Sequence, residues 1–111
     1  MIYEIIISTE AHDDLEGIYD YIANVLLLPK IAWNMIEKFY ESIKSLETMP
    51  KRHKIIDNPY LTNDNIRCYQ IKNYKIYYYV DESKKIVIIL RITYYKMDLS
   101  NVFKTDNDKS C

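Results

Sequence analysis

Two stretches in the first half of the chain repeat apolar residues at the same rhythm, and this pairing limits the fold more than any other feature. Between Glu10 and Val25 they fall at Ala11, Leu15, Ile18, Ile22 and Val25; after Pro29 they fall at Ala32, Ile36, Phe39, Ile43 and Leu46. Steps of 4, 3, 4 and 3 trace one face of a helix in each case. Only Leu26 to Lys30 lies between them, and Pro29 suits a helix's first turn. Neither stripe can stay in water, so the spacing predicts an antiparallel helical hairpin closed on itself and on a further layer. The Ser8-Thr9 hydroxyls can cap the first helix. Asp13, Asp14 and Glu16 load its early turns with negative charge, where the helix dipole favours it.

The further layer is written in β-branched and aromatic residues. Tyr3 to Ser8 reads as a short strand, and IRCYQI from Ile66, YKIYYYV from Tyr74 and IVIILRI from Ile86 read as three more. The Lys72-Asn73 turn and the Asp81 to Lys85 turn are short enough to make these three an antiparallel meander. The fold class is therefore α+β, a strand, a helical hairpin and a three-stranded meander, with both helices on one face of a small sheet. Alternation in the middle strand sends Ile76, Tyr78 and Val80 toward the hairpin and Lys75, Tyr77 and Tyr79 away from it. The last strand is apolar almost throughout, as a central strand would be, and alternation puts Arg91 on the face of Val87 and Ile89. Residues 51–65, with prolines, asparagines and charges, read as a surface loop. A chain of 111 residues has room for one core. Residues 1–104 are expected to form it, and 105–111 a flexible polar tail.

Composition narrows the chemistry. Nothing approaches the roughly 20 apolar residues of a membrane span, and the opening MIYEIIISTE lacks the basic and long apolar parts of an export signal, so a cytoplasmic protein is expected. Cys68 and Cys111 suggest neither a disulfide framework nor a zinc site. There is no glycine-rich phosphate loop, no paired-histidine metal spacing and no serine or cysteine nucleophile motif, so no cofactor and no metal are expected. His12 reads as a surface residue, and His53 within Lys51-Arg52-His53-Lys54 as part of a solvated loop. Charge is divided: residues 1–50 hold 3 Lys and Arg against 9 Asp and Glu, and residues 51–111 hold 12 against 7. A basic half can draw in a polyanion, and it can equally attract the acidic half of its own chain.

One glycine and twelve tyrosines leave little loop and much amphipathic aromatic surface. On the sheet face turned away from the hairpin, alternation gathers Gln70, Lys72, Lys75, Tyr77 and Tyr79, with Arg91 near them. Interleaved cations and aromatics can hold phosphates and stack bases, or receive a peptide, though an ordinary solvated face has the same pattern.

The order of these parts carries a resemblance. A strand, a helix reading A-x-x-D-L-x-x-I-x-x-Y-I-A (Ala11, Asp14, Leu15, Ile18, Tyr21, Ile22, Ala23), a Pro-x-x-A second helix, N-Y-K-I-Y-Y-Y-V and I-L-R-I-T-Y-Y-K-M-D together resemble the RelE/ParE toxin superfamily, from about Tyr3 to Phe103. The resemblance implies a growth-inhibiting toxin of a type II toxin-antitoxin pair, held inactive by an antitoxin whose tail wraps it, in a possible hetero-oligomer.

It also implies one of two targets. RelE-like members cut messenger RNA on the ribosome without a metal, which needs a base, cations around the phosphate and an acid for the leaving oxygen. Their paired lysines match Gln70 and Lys72, and an arginine matches Lys75, which lacks the bidentate fork. A second arginine falls at Lys96 or Met97, and a late tyrosine falls at Phe103, which cannot exchange a proton. A variant endonuclease would rest on Lys72, Lys75, Arg91 and Lys96, with Tyr94 and Tyr95. The thinning of this set favours ParE-like poisoning of DNA gyrase, in which Gln70, Tyr77, Tyr79, Tyr94 and Tyr95 would belong to a macromolecule-binding surface. An inactive relative serving as a binding module is a third reading.

Overall fold

A computed structural model describes residues 2–56 and 65–97. Strand β1 is Glu4–Ile7 and helix α1 is Thr9–Asp20, followed by a wider π-type turn over Tyr21–Val25. Helix α2 is Pro29–Lys44, and short 3-10 turns cover Ser45–Glu47 and Pro50–Arg52. Strands β2 (Ile66–Ile71), β3 (Tyr74–Asp81) and β4 (Ile86–Tyr94) complete the chain described.

Ser8 is the residue that starts α1: its hydroxyl oxygen accepts the Ala11 N–H at 3.1 Å and its own O–H donates to the Leu90 carbonyl at 3.1 Å. One side chain thus caps the helix and ties it to β4. At the far end of the hairpin, the Arg52 guanidinium donates to the Ser45 and Thr48 carbonyls at 3.2 and 3.0 Å. Carbonyls left over where a helix ends need such donors.

The sheet runs β1-β4-β3-β2, with β1 parallel to β4 and the rest antiparallel. The apolar β4 is indeed central. Both helices cover one face, and Ala11, Leu15, Phe39, Ile43 and Leu46 meet Ile76, Tyr78, Val87, Ile89 and Ile92 there. Tyr78 lies wholly inside this core, where its hydroxyl donates to the Pro50 carbonyl at 2.6 Å and anchors the turn after α2.

Three expectations need correction. Val25 is 64% exposed, because the π-type turn breaks the 3.6-residue period that would have carried it inward. Tyr77 is buried, because Ile66, Leu90, Cys68 and Ile56 pack with it into a second small cluster on the face opposite the helices. Arg91 leaves the row of Val87 and Ile89 because Tyr77 opposes Arg91 while Tyr78 opposes Ile89. Leu90 is thus an extra residue, a bulge, and Ile92 takes the helix-facing place that simple alternation gave to Arg91. No helix among the described residues is long and apolar enough to cross a membrane.

Candidate functional site

The bulge sits where β1 stops. β1 accompanies β4 only from Ile86 to Ile89, so past that point the edge of a central strand faces α1. Asp14 of α1 takes over from the missing strand. Its Oδ2 accepts the Ile92 N–H at 2.9 Å and the Arg91 Nε–H at 2.8 Å, and its Oδ1 accepts from the second Arg91 nitrogen at 3.0 Å. The pair is largely buried, with side-chain exposures of 25% and 15%. The hydrogen bonds that Arg91 donates to Asp14 raise its pKa further and fix the guanidinium as a cation.

Beyond this pair the helices and the sheet end part to leave a groove of about 980 Å³. Ile18 of α1, Tyr21 and Ile22 of the π-type turn, Leu26 and Leu28 of the connection, and Ile31, Met35 and Lys38 of α2 line one side. Lys72, Asn73, Tyr74, Arg91, Tyr94 and Met97 line the other. The interior is apolar and aromatic. Arg91 is already matched by Asp14, while Lys38 and Lys72 bring positive charge. Such a groove suits an amphipathic segment that carries carboxylates.

The residues singled out in the sequence divide among different places. Lys72, Arg91 and Tyr94 share the groove. Lys72 is exposed in the β2–β3 turn, with φ 53°, and its carbonyl accepts from Gln70 at 2.9 Å. Tyr94, 46% exposed, meets Tyr74 and Tyr95 edge-on, with ring centroids 6.0 and 5.1 Å away. Lys96 lies over the Tyr95 ring at 5.6 Å. Lys75 opposes Gln70 and Thr93 and is half-buried on the face of Tyr77 and Tyr79, away from the groove. Burial pushes the Tyr77 hydroxyl up to about 12, so it is no general base near neutrality. Phe103 and the expected tail lie outside the described residues.

Several basic residues serve the fold. Lys51 pairs with Glu82 at 2.7 Å, and Arg67 donates to the Lys51 and His53 carbonyls at 3.1 and 2.7 Å. His53 stacks on Tyr69 with centroids 4.3 Å apart, which corrects its reading as a residue of a solvated loop. Desolvation, then the nearby Arg52 and Arg67, lower its pKa. Among the described residues no group of three or more His, Cys, Asp and Glu is placed to hold a metal ion.

Sequence reasoning missed Lys38, Tyr74 and the hairpin side of the groove. It gave Asp14 a dipole charge and a place in the helix motif but no partner, although the spacing Ala11, Asp14, Ile18 already sets that carboxylate beside the buried stripe.

A family model for the ParE toxin of the type II toxin-antitoxin system parDE matches residues 5–99. The chain belongs to the ParE toxin family. Solved structures agree on the ParE fold. The chromosomal ParDE system from P. aeruginosa superposes with a TM-score of 0.71 at 21% identity, over 86% of this chain and 98% of that one. The RelBE2 toxin-antitoxin complex from Mycobacterium tuberculosis gives 0.57 at 17% identity, over 85% and 99%. The archaeal RelE-RelB complex from Pyrococcus horikoshii OT3 gives 0.56 at 19% identity, over 88% and 100%. No curated protein matches the sequence of this ParE-family chain.

Proposed function

We propose that this ParE-family chain arrests growth by poisoning DNA gyrase and is neutralised by an antitoxin segment seated in the groove between the hairpin and the sheet. One observation carries the choice of target: Arg91, the one arginine of the candidate nuclease set, is held by two oxygens of Asp14. Removing it from that pair to meet an RNA phosphate would strand a largely buried carboxylate, a cost of several kcal/mol by the usual penalty for breaking such pairs, about 3–5 kcal/mol. Lys75 lies on another face, and Lys96 stands over a tyrosine ring. This separation of Lys75 from the groove of Lys72 and Arg91 supports the gyrase reading.

The neutralising partner follows from the groove's chemistry. Apolar walls with Lys38 and Lys72 suit a helix or strand with apolar residues and carboxylates. The test induces the gene with and without a co-expressed cognate antitoxin, and reads gyrase supercoiling and cleavage complexes against new transcript ends. Accumulating cleavage complexes with intact transcripts support the proposal; unchanged gyrase activity at growth-arresting doses overturns it.

A second reading is favoured by one feature, the presence of Lys72, Arg91 and Tyr94 in the same groove. Ribosome-dependent cleavage of messenger RNA would give new transcript ends on induction, and Lys72→Ala would abolish them.

A further inference from the structure

Beyond Ile89 the edge of β4 has no neighbouring strand, and its backbone groups there are only partly satisfied. Tyr95 donates its N–H to the Asn73 carbonyl at 2.8 Å, so alternation along the strand turns the N–H and C=O of Thr93 toward β3 and those of Ile92 and Tyr94 toward the open edge. Two of these edge groups are filled. The Ile92 N–H goes to Asp14 at 2.9 Å, and the Tyr94 carbonyl accepts from the Met97 N–H at 3.0 Å. The Ile92 carbonyl and the Tyr94 N–H have no hydrogen-bond partner among the described residues.

An edge left open by a short neighbour is a template for another strand. The two remaining groups also fix its direction. An antiparallel partner needs both groups of one residue, because a hydrogen-bonded antiparallel pair exchanges two bonds between the same two residues. Ile92 and Tyr94 have each given one group away. A parallel partner needs the carbonyl of one residue and the N–H of the residue two further on, and Ile92 and Tyr94 offer that pair to a single residue set opposite Thr93. β1 already runs parallel to β4, so such a segment continues the sheet in the line of β1. Space is open beside the edge: Gly17 of α1 lines the groove together with Ile92, Thr93 and Tyr94, and a Cβ on it would meet nothing within 4 Å. A glycine in a helix wall lets another backbone come close.

Resting on the reading of the groove as the antitoxin's seat, we propose that the antitoxin segment enters it as an added strand parallel to β4. One residue of the segment lies opposite Thr93, donates its N–H to the Ile92 carbonyl and accepts the Tyr94 N–H. The residues before and after it turn their side chains to the helix side, as Ile92 does, so they are apolar and meet the wall of Ile18, Tyr21 and Ile22. Lys72 adjoins Asn73, which holds the chain just past the end of β4, so the carboxylate that meets Lys72 follows the bridging residue in the segment.

Amide hydrogen exchange, read by NMR on the full chain alone and in complex with its co-expressed antitoxin, is the test. The Tyr94 amide should exchange quickly in the free chain and at least about tenfold more slowly in the complex, while the Ile92 amide, held by Asp14 in both, changes less. Nuclear Overhauser contacts at Tyr94 should show a segment running with β4. Tyr94→Ala removes the ring and keeps the donor, whereas Tyr94→Pro removes both at a strand edge, where proline is tolerated, and should weaken antitoxin binding about tenfold more than alanine does. Equal losses from the two variants, an antiparallel segment, or a Tyr94 amide unprotected in the complex overturns the proposal. An unprotected Tyr94 amide together with weaker binding by Lys38→Glu with Lys72→Glu removes the added strand alone and leaves the groove as the antitoxin's seat; a complex in which no groove amide shifts removes both. A Tyr94 amide already protected in the free chain also overturns the proposal, and assigns the edge to the chain's own later residues.

Discussion

Asp14 performs three tasks with one carboxylate: it holds Arg91, satisfies the Ile92 N–H that β1 does not reach, and pins α1 against β4. Asp14→Ala should therefore cost about 3–5 kcal/mol, since it leaves a largely buried guanidinium and a backbone donor without partners. Urea denaturation would measure this, and a loss below about 1 kcal/mol, the scale of an exposed pair, would show that the bridge is weak. His53 makes a second prediction. Its folded pKa lies below the ordinary 6.5, so the folded state binds fewer protons than the unfolded chain. The stability it contributes is present above pH 6.5 and is lost as pH falls through the lower folded value. His53→Phe keeps a ring on Tyr69 and removes the titration. Between pH 7.5 and 5, roughly the window in which histidine titrates, its melting temperature should fall less than that of the parent. Equal slopes would remove His53 as a source of acid sensitivity.

The elements follow their sequence closely up to the points where one residue changes the count. Both helical stripes, the proline that opens α2 and the turns of the meander are visible as periodicity. The period then fails at Val25 and at Leu90, for the same reason in a helix and a strand: an inserted residue shifts every side chain after it. Neither insertion has a local signal such as a glycine, since the one glycine of the chain lies inside α1. That glycine is itself testable. A Cβ built on Gly17 would meet nothing within 4 Å, and its φ is not in the left-handed region. Gly17→Ala should stabilise the fold by about 0.5–1 kcal/mol through helix propensity, read as a higher urea midpoint with unchanged slope. A lower midpoint would mean that the groove wall needs the missing methyl's space.

At the scale of the whole molecule, the division of charge visible in the sequence resolves mainly into internal work. Asp14 and Arg91 join the acidic and basic halves directly, Arg52 and Arg67 bind carbonyls, and Lys51 meets Glu82. The candidate site was legible only in part for this reason: Lys72, Arg91 and Tyr94 could be picked out by type, but their separation from Lys75 depends on the bulge, and their meeting with Lys38 depends on how the hairpin lies across the sheet. With Asp14 matched to Arg91, the two lysines from opposite walls outnumber the one other carboxylate of the groove, Asp13, so its affinity for an acidic segment should fall when they are reversed. Lys38→Glu with Lys72→Glu places two like charges against the segment's carboxylates, which costs a few kcal/mol across an interface and should weaken antitoxin binding at least tenfold, more at low salt than at high. Lys75→Glu, on the other face, should leave it unchanged. Titration calorimetry at two salt concentrations would separate the cases. Equal losses from the groove pair and from Lys75→Glu would show that the antitoxin responds to the net charge of the toxin and not to this groove.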